Sequence, residues 1–361
     1  MLDLVSRGAD ERRKHLVAME RAVPVTRMVD YGVPLGEALL VHELTKASDP
    51  DSWDDICERL ACRQRDIATV AQDAGRRDTA AQAWRYAYAL LQCAQLAHNH
   101  DVPRKISLYE QAHAALARHA HLCDDLDEVQ LSTEKGRLHG WVVRPIDQDP
   151  TGAVVVVGGL SGWGGVYLDM GRALAARGLL AVLAEGPGQG LSRMRSRLHL
   201  DEATLPLFGA FVDYAESLGV RRVGAWGNSF GGLFTAHLAA RDTRIQAVCI
   251  NGAPMTPGVP TFRTAREQME VVFGVDEEIS LARRLESLGM DAQRHRINAH
   301  MLVLQGGCDP LIPLEQQASF FALAPSHSHE TFTWGNGEHT IYNHSHERNA
   351  RAADWFSKTL A

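Results

Sequence analysis

The chain has 361 residues, 45% of them hydrophobic and 22% charged, with a formal net charge of -7. That length allows one large domain and a smaller appendage, and the composition is that of an ordinary globular protein. The acidic balance gives no basic face for nucleic acid, and no apolar run approaches the roughly 20 residues that span a bilayer, so neither partner is expected.

The first twenty residues are charged throughout (Arg7, Asp10, Glu11, Arg12, Arg13, Lys14). They do not look like a secretory signal, so a cytoplasmic location is expected. The next hundred are rich in Ala, Leu, Arg and Gln, with apolar residues at helical spacing. Asp51 or Ser52 can cap a helix running to about Val70. Residues 79–97, with Trp84, Tyr88 and Leu91 three or four apart, predict a buried helix face. Pro103 suits the start of another helix. Residues 1–125 therefore read as a helical domain.

After the acidic seam Asp124, Asp125 and Asp127 the pattern changes, and residues 126–361 read as a second domain. Val129 and Leu131, then Leu138, Trp141 and Val143, predict a hairpin that closes at Pro145. Residues 153–157 form a continuous apolar run, as in a strand buried on both faces. Helices are expected at 169–177, 205–218 and 230–240, and from about Glu347. Strands are expected at 179–184, 223–226, 247–250, 301–305 and 330–334. This alternation predicts a mostly parallel sheet covered on both sides, an α/β class. Residues 253–296 fit the alternation least and are expected to form helices near the mouth of a site.

The six cysteines are irregularly spaced and without C-x-x-C, which predicts free thiols. The close histidine pairs His98/His100, His119/His121, His327/His329 and His344/His346 would face different sides of a helix. No metal and no cofactor are expected.

The chemistry is carried by Val223-Gly224-Ala225-Trp226-Gly227-Asn228-Ser229-Phe230-Gly231-Gly232. It is a strand, then G-x-S-x-G, then a helix of small and apolar residues. A serine on so sharp a turn is a nucleophile candidate, and its neighbours must be small to avoid clashes. Such a turn presents the hydroxyl at the carboxyl edge of the sheet, where a helix N-terminus favours developing negative charge. The partners should follow in the order carboxylate, then histidine. Asp309 lies just past the strand 301–305, before Pro310, and could equally cap a turn. His339 sits in Gly335-Asn336-Gly337-Glu338-His339, beyond the last strand, where it can act as general base. His344 and His346 are its rivals, but fall where the terminal helix should begin. An oxyanion hole needs two backbone donors. Phe230 N–H is one candidate. The other comes from Gly158-Gly159-Leu160-Ser161, with Leu160 preferred to Ser161.

With Glu185-Gly186-Pro187-Gly188-Gln189-Gly190, the G-N-S-F-G-G at 227–232, Gly337-Glu338-His339 followed by Asn343, and the helical segment Arg104 to Leu116, the chain resembles the FrsA-like branch of the α/β-hydrolases. The resemblance covers nearly the whole sequence and implies an α/β-hydrolase fold with an N-terminal helical lid. It departs from the family at Glu185, where Asp is usual. It implies cleavage of an ester, or of a C–C bond beside a ketone, in a small acyl substrate of polyketide-like or aromatic kind. A homodimer is the assembly it suggests. The expected roles are catalytic for Ser229, Asp309 and His339, and oxyanion-binding for Phe230 and Leu160. Ser161, Trp163 and Tyr342 are the substrate-binding candidates, with Tyr167 and Phe262 as further pocket aromatics. C–C cleavage would also need a proton donor, for which Glu185, Glu267 and Glu270 are candidates. The runner-up is a lyase that eliminates acetate from an O-acetylated tetronate-type intermediate. A binding protein that merely kept the fold would not need the intact Ser, Asp and His set.

Overall fold

The computed structural model describes residues 2–361 and divides into two compact units, one ending at Asp124 and the other Asp125–Ala361. Among the described residues the first unit holds six helices: α1 (Leu2–Ala22), α2 (Val25–Asp30), α3 (Leu35–Leu44), α4 (Trp53–Asp73), α5 (Arg77–Gln95) and α6 (Pro103–His121). Ser52 caps α4, its side chain accepting the Asp55 N–H at 3.4 Å. Pro103 occupies the first turn of α6. Trp84, Tyr88 and Leu91 are buried, as their spacing on α5 requires. Trp53 is fully buried and donates its indole N–H to the Cys93 carbonyl at 3.0 Å. Burial alone would raise the Asp54 carboxyl. Hydrogen bonds from His98, Ser52 and Arg104 outweigh it and hold the group well below the usual carboxylate range. All six cysteines are free thiols.

The second unit is built on one eight-stranded sheet. Its elements are β1 (Leu126–Thr133), β2 (Gly136–Val143), β3 (Gly152–Val157), α7 (Leu168–Ala175), β4 (Leu179–Glu185), α8 (Gly190–Met194), α9 (Gly209–Ser217), β5 (Val223–Asn228), α10 (Phe230–Arg241), β6 (Ile245–Asn251), α11 (Arg263–Phe273), α12 (Glu278–Leu288), β7 (His300–Gly306), α13 (Leu314–Ala318), β8 (His329–Trp334) and α14 (Ser345–Thr359). The strand order is β1-β2-β4-β3-β5-β6-β7-β8. The β1/β2 and β2/β4 pairs are antiparallel and the rest are parallel. The sequence places one helix over 205–218. The structure splits it into a 3-10 turn at Leu205–Phe208 and then α9. Pro206 lies in that first turn, where its missing N–H costs nothing.

Both faces of the sheet are covered, which explains the unbroken valine run in β3. Val155 and Val157 share one core with Phe208, Phe211 and Phe234, where Phe208 and Phe234 stack at 5.7 Å. On the other face Trp226 meets Phe356 of α14 at 6.1 Å. Helix α10 is buried from Phe230 to Ala239, so it is apolar all round rather than amphipathic. Strand β3 lies between β4 and β5, so the chain winds outward in opposite directions from it. The crevice beyond the carboxyl ends of the strands at such a switch point is where open α/β sheets bind ligands.

Helix α10 also carries a buried histidine. His237 donates its Nε2–H to the Leu288 carbonyl at 2.8 Å and meets the His295 ring edge-on at 5.3 Å. Burial, with Arg241 and His295 nearby, lowers it from 6.5 to about 4 despite the Leu288 bond. The folded chain thus favours the neutral ring. Its contribution is complete above pH 6.5 and is lost as pH falls from 6.5 toward 4, up to about 3 kcal/mol. Urea midpoints between pH 4 and 7 should therefore fall more steeply for the wild type than for His237→Leu. Parallel curves would show that His237 is not the group responsible.

Candidate active site

Ser229 stands between β5 and α10 with φ 55° and ψ -131°, a backbone conformation that non-glycine residues rarely adopt. Its N–H donates to the Asn251 carbonyl at 2.8 Å. The turn closes because its neighbours lack side chains. A Cβ on Gly227 would lie 2.1 Å from the Gly231 carbonyl oxygen, and one on Gly231 would lie 2.3 Å from that of Val157. Ser229 itself is half-buried.

The other two residues follow the carboxyl ends of β7 and β8, which pair in parallel with Gly306 opposite Trp334. His339 Nδ1 lies 2.8 Å from Asp309 Oδ2, and His339 Nε2 lies 2.9 Å from Ser229 Oγ. The Asp309 side chain is 1% exposed and that of His339 12%. Asp309 Oδ1 accepts the N–H groups of Leu311 and Ile312 at 2.8 and 3.0 Å. The carboxylate thus caps its turn with one oxygen and meets the imidazole with the other. A carboxylate only accepts, so Nδ1 carries the ring proton and Nε2 faces the serine hydroxyl with its lone pair. His344, the rival, instead binds Asn336 Oδ1 at 2.9 Å, and His346 lies in α14.

The loop after β3 passes beside the serine. A Cβ on Gly159 would be 2.9 Å from Ser229 Cβ. Gln189 Nε2 donates to the Gly158 carbonyl at 2.6 Å, and Trp163 Nε1 to that of Gly159 at 2.9 Å. With the Gly159 carbonyl tied to Trp163, the trans peptide turns the Leu160 N–H the opposite way. Among the described residues, neither the Leu160 nor the Phe230 N–H makes a hydrogen bond.

Trp163, a substrate-binding candidate, is 1% exposed, with its indole N–H on the Gly159 carbonyl and the Arg193 guanidinium 5.0 Å from its ring centre, so the ring braces the loop. Tyr167 is likewise buried, with its hydroxyl on the Gly162 carbonyl at 3.2 Å. Phe230 offers its backbone, while its ring is buried beside Phe234. Phe262, at the start of α11, is 49% exposed. Ser161 is half-buried, and so is Tyr342, whose ring stands edge-on to His339 at 6.2 Å.

The acidic candidates divide in the same way. Glu185 is 2% exposed, and its Oε2 accepts the Leu191 N–H at 2.8 Å, so it orders the start of α8. Glu267 and Glu270 pair with Arg263 and Arg266 one turn earlier on α11, at 3.6 and 3.7 Å. Gln189 received no role from the sequence, although it sits in the G-P-G-Q-G segment that carries the resemblance. A buried glutamine among glycines was the available signal. No group of three or more His, Cys, Asp or Glu among the described residues is arranged to hold a metal ion. No helix among them is long and apolar enough to cross a membrane.

Comparison with known proteins supplies the family. Residues 174–361, more than half of the chain, match the prolyl oligopeptidase family. The α/β hydrolase gkaG of Penicillium citrinum is 27% identical over 232 residues, covering 60% of this chain and 54% of that protein. The chain thus spans about half the length of the curated relative it matches. The crystal structure of the 2,6-dihydroxy-pseudo-oxynicotine hydrolase is similar with a TM-score of 0.82 at 19% identity, over 93% of this chain and 95% of its own. Wild-type AbyA5 follows with 0.69 at 16% identity, over 96% and 99%. These structures share the fold that the motifs implied, and the resemblance read from the sequence stands at that level. The chain has an α/β-hydrolase fold, and it belongs to the prolyl oligopeptidase family.

Proposed function

We propose that this enzyme cleaves an acyl bond, an ester or a C–C bond beside a ketone, in a small polyketide-like or aromatic metabolite, with Ser229, His339 and Asp309 as its triad. One observation carries the reading: the unbroken chain from Ser229 Oγ through both nitrogens of His339 to Asp309, at 2.9 and 2.8 Å. His339 Nε2 takes the hydroxyl proton as Ser229 attacks the carbonyl carbon, and Asp309 stabilises the imidazolium that forms. The oxyanion gains the N–H groups of Leu160 and Phe230, the latter at the N-terminus of α10. Collapse expels the leaving group, which takes the proton from His339. Water then releases the acid by the same steps in reverse order. A neighbour of the same fold is named as a hydrolase of 2,6-dihydroxy-pseudo-oxynicotine, which supports a small aromatic substrate.

The test uses acetyl esters, β-diketones, acetylated tetronates and a chromogenic prolyl peptide in ¹⁸O-labelled water. The expected result is label in the released acid and turnover of an ester or diketone. Unlabelled acetate together with an olefin would replace hydrolysis by acetate elimination. Turnover of the prolyl peptide alone would move the substrate class to peptides.

A further inference from the structure

We propose that Asn251 and Arg348 are positioning residues for the serine–histidine pair, acting together through the main-chain carbonyl of Thr340. The inference rests on the triad reading above. Asn251, the last residue of β6, is fully buried. Its carbonyl accepts the Ser229 N–H, and its Nδ2 donates to Asn228 Oδ1 at 2.8 Å and to the Thr340 carbonyl at 3.1 Å. One side chain therefore joins the residue before the nucleophile to the residue after the base. Arg348, on α14, is also fully buried. Its Nη1 donates to the same Thr340 carbonyl at 2.8 Å, while Nε and Nη2 hold Asn349 Oδ1 at 3.0 and 2.9 Å.

The need for two donors on one carbonyl lies in the backbone. Thr340 and Ile341 have φ of 51° and 64°, left-handed values that β-branched residues avoid. Such a conformation persists only where its surroundings over-determine it. It follows directly on His339, whose ring must meet Ser229 and Asp309 at once. Relaxation of 340–341 toward negative φ would carry the imidazole off one partner or the other. Asn251 Oδ1 is buried without a hydrogen bond among the described residues. A buried polar atom left unsatisfied calls for a reason. Here the reason is that both acceptors lie on the Nδ2 side, so turning the amide over would set oxygen against oxygen.

The experiment follows covalent labelling of Ser229 by a fluorophosphonate, which needs no knowledge of the natural substrate, and hydrolysis of p-nitrophenyl acetate. Asn251→Ala and Arg348→Met should each slow labelling by about 30- to 100-fold, the cost of an ångström of misplacement. The loss should fall on kcat with KM unchanged. Arg348→Lys, which keeps a cationic donor, should recover most of the rate. The double variant should be no more than about threefold slower than the slower single, because both act through one carbonyl. Rates within about twofold of wild type, or losses that multiply in the double variant, overturn the proposal. Should Arg348→Met fail to fold, the Thr340→Gly background decides. Glycine takes the left-handed turn without strain, so Asn251→Ala should there cost less than about threefold. An equal loss in both backgrounds overturns the proposal. Ser229→Ala separates the two claims: if it is still labelled, the triad reading has failed, not the positioning of its parts.

Discussion

Replacing Ser229 by alanine is expected to lower turnover by about 10⁴- to 10⁶-fold, with the fold intact. The hydroxyl is the only group at the strand–helix turn that can attack a carbonyl, and it is already hydrogen-bonded to His339 at 2.9 Å. Alanine is smaller and keeps the backbone donors, so binding and the Leu160 and Phe230 N–H groups survive. The residual rate, about 10³-fold or more above water, would come from those donors and from orientation. His339→Ala should cost nearly as much, and Ser229→Ala/His339→Ala hardly more, because the three residues act as one unit. The measurement is kcat/KM for the best ester, with fluorophosphonate labelling to count active serines. Retention of a tenth of the activity in Ser229→Ala would mean that the nucleophile lies elsewhere.

Gly231→Ala is expected to destabilise the second unit by about 3 kcal/mol or more, lowering its melting temperature by roughly 10 °C, or to prevent folding. The added Cβ would stand 2.3 Å from the Val157 carbonyl oxygen and 2.5 Å from that of Gly158. Both are backbone atoms of β3 and its loop, so no flexible side chain can give way. Relief requires α10 to move off the sheet, which would also displace the Phe230 N–H. Gly209→Ala is the control. Nothing lies within 4 Å of that position at the start of α9, so alanine should be neutral or slightly stabilising. Calorimetry of both variants tests the pair. A Gly231→Ala protein that melts with the wild type would mean that the turn is looser than its geometry implies.

The two units differ in how openly they declare themselves in sequence. In α5 the spacing of Trp84, Tyr88 and Leu91 is enough to define the buried face, because a helix repeats its environment every 3.6 residues. In β3 an unbroken run of valines is enough to define a strand covered on both sides. Residues 205–218 were harder. Their apolar content is helical, but Pro206 and Gly209 sit where a 3-10 turn hands over to α9, and periodicity does not resolve such a junction.

Sequence alone determined that Ser229 stands on a strand–helix turn, because only glycines at 227 and 231 permit the backbone to close there. It also placed Asp309 and His339 each just beyond a strand, since glycines and Pro310 follow the first strand and Gly335 and Gly337 the second. Only the tertiary structure decided what lies across the sheet. The 2.9 and 2.8 Å contacts join residues 110 and 30 positions apart. The burial of Trp163 against Gly159 and Arg193, the pairing of Glu267 and Glu270 with neighbouring arginines, and the meeting of Asn251 and Arg348 at one carbonyl were also settled there. The physical reason is range. Turn chemistry and periodicity are local and leave their mark on adjacent residues. Which side chain meets which is set by strand order and register, and a tryptophan reads the same in sequence whether it lines a pocket or braces a loop.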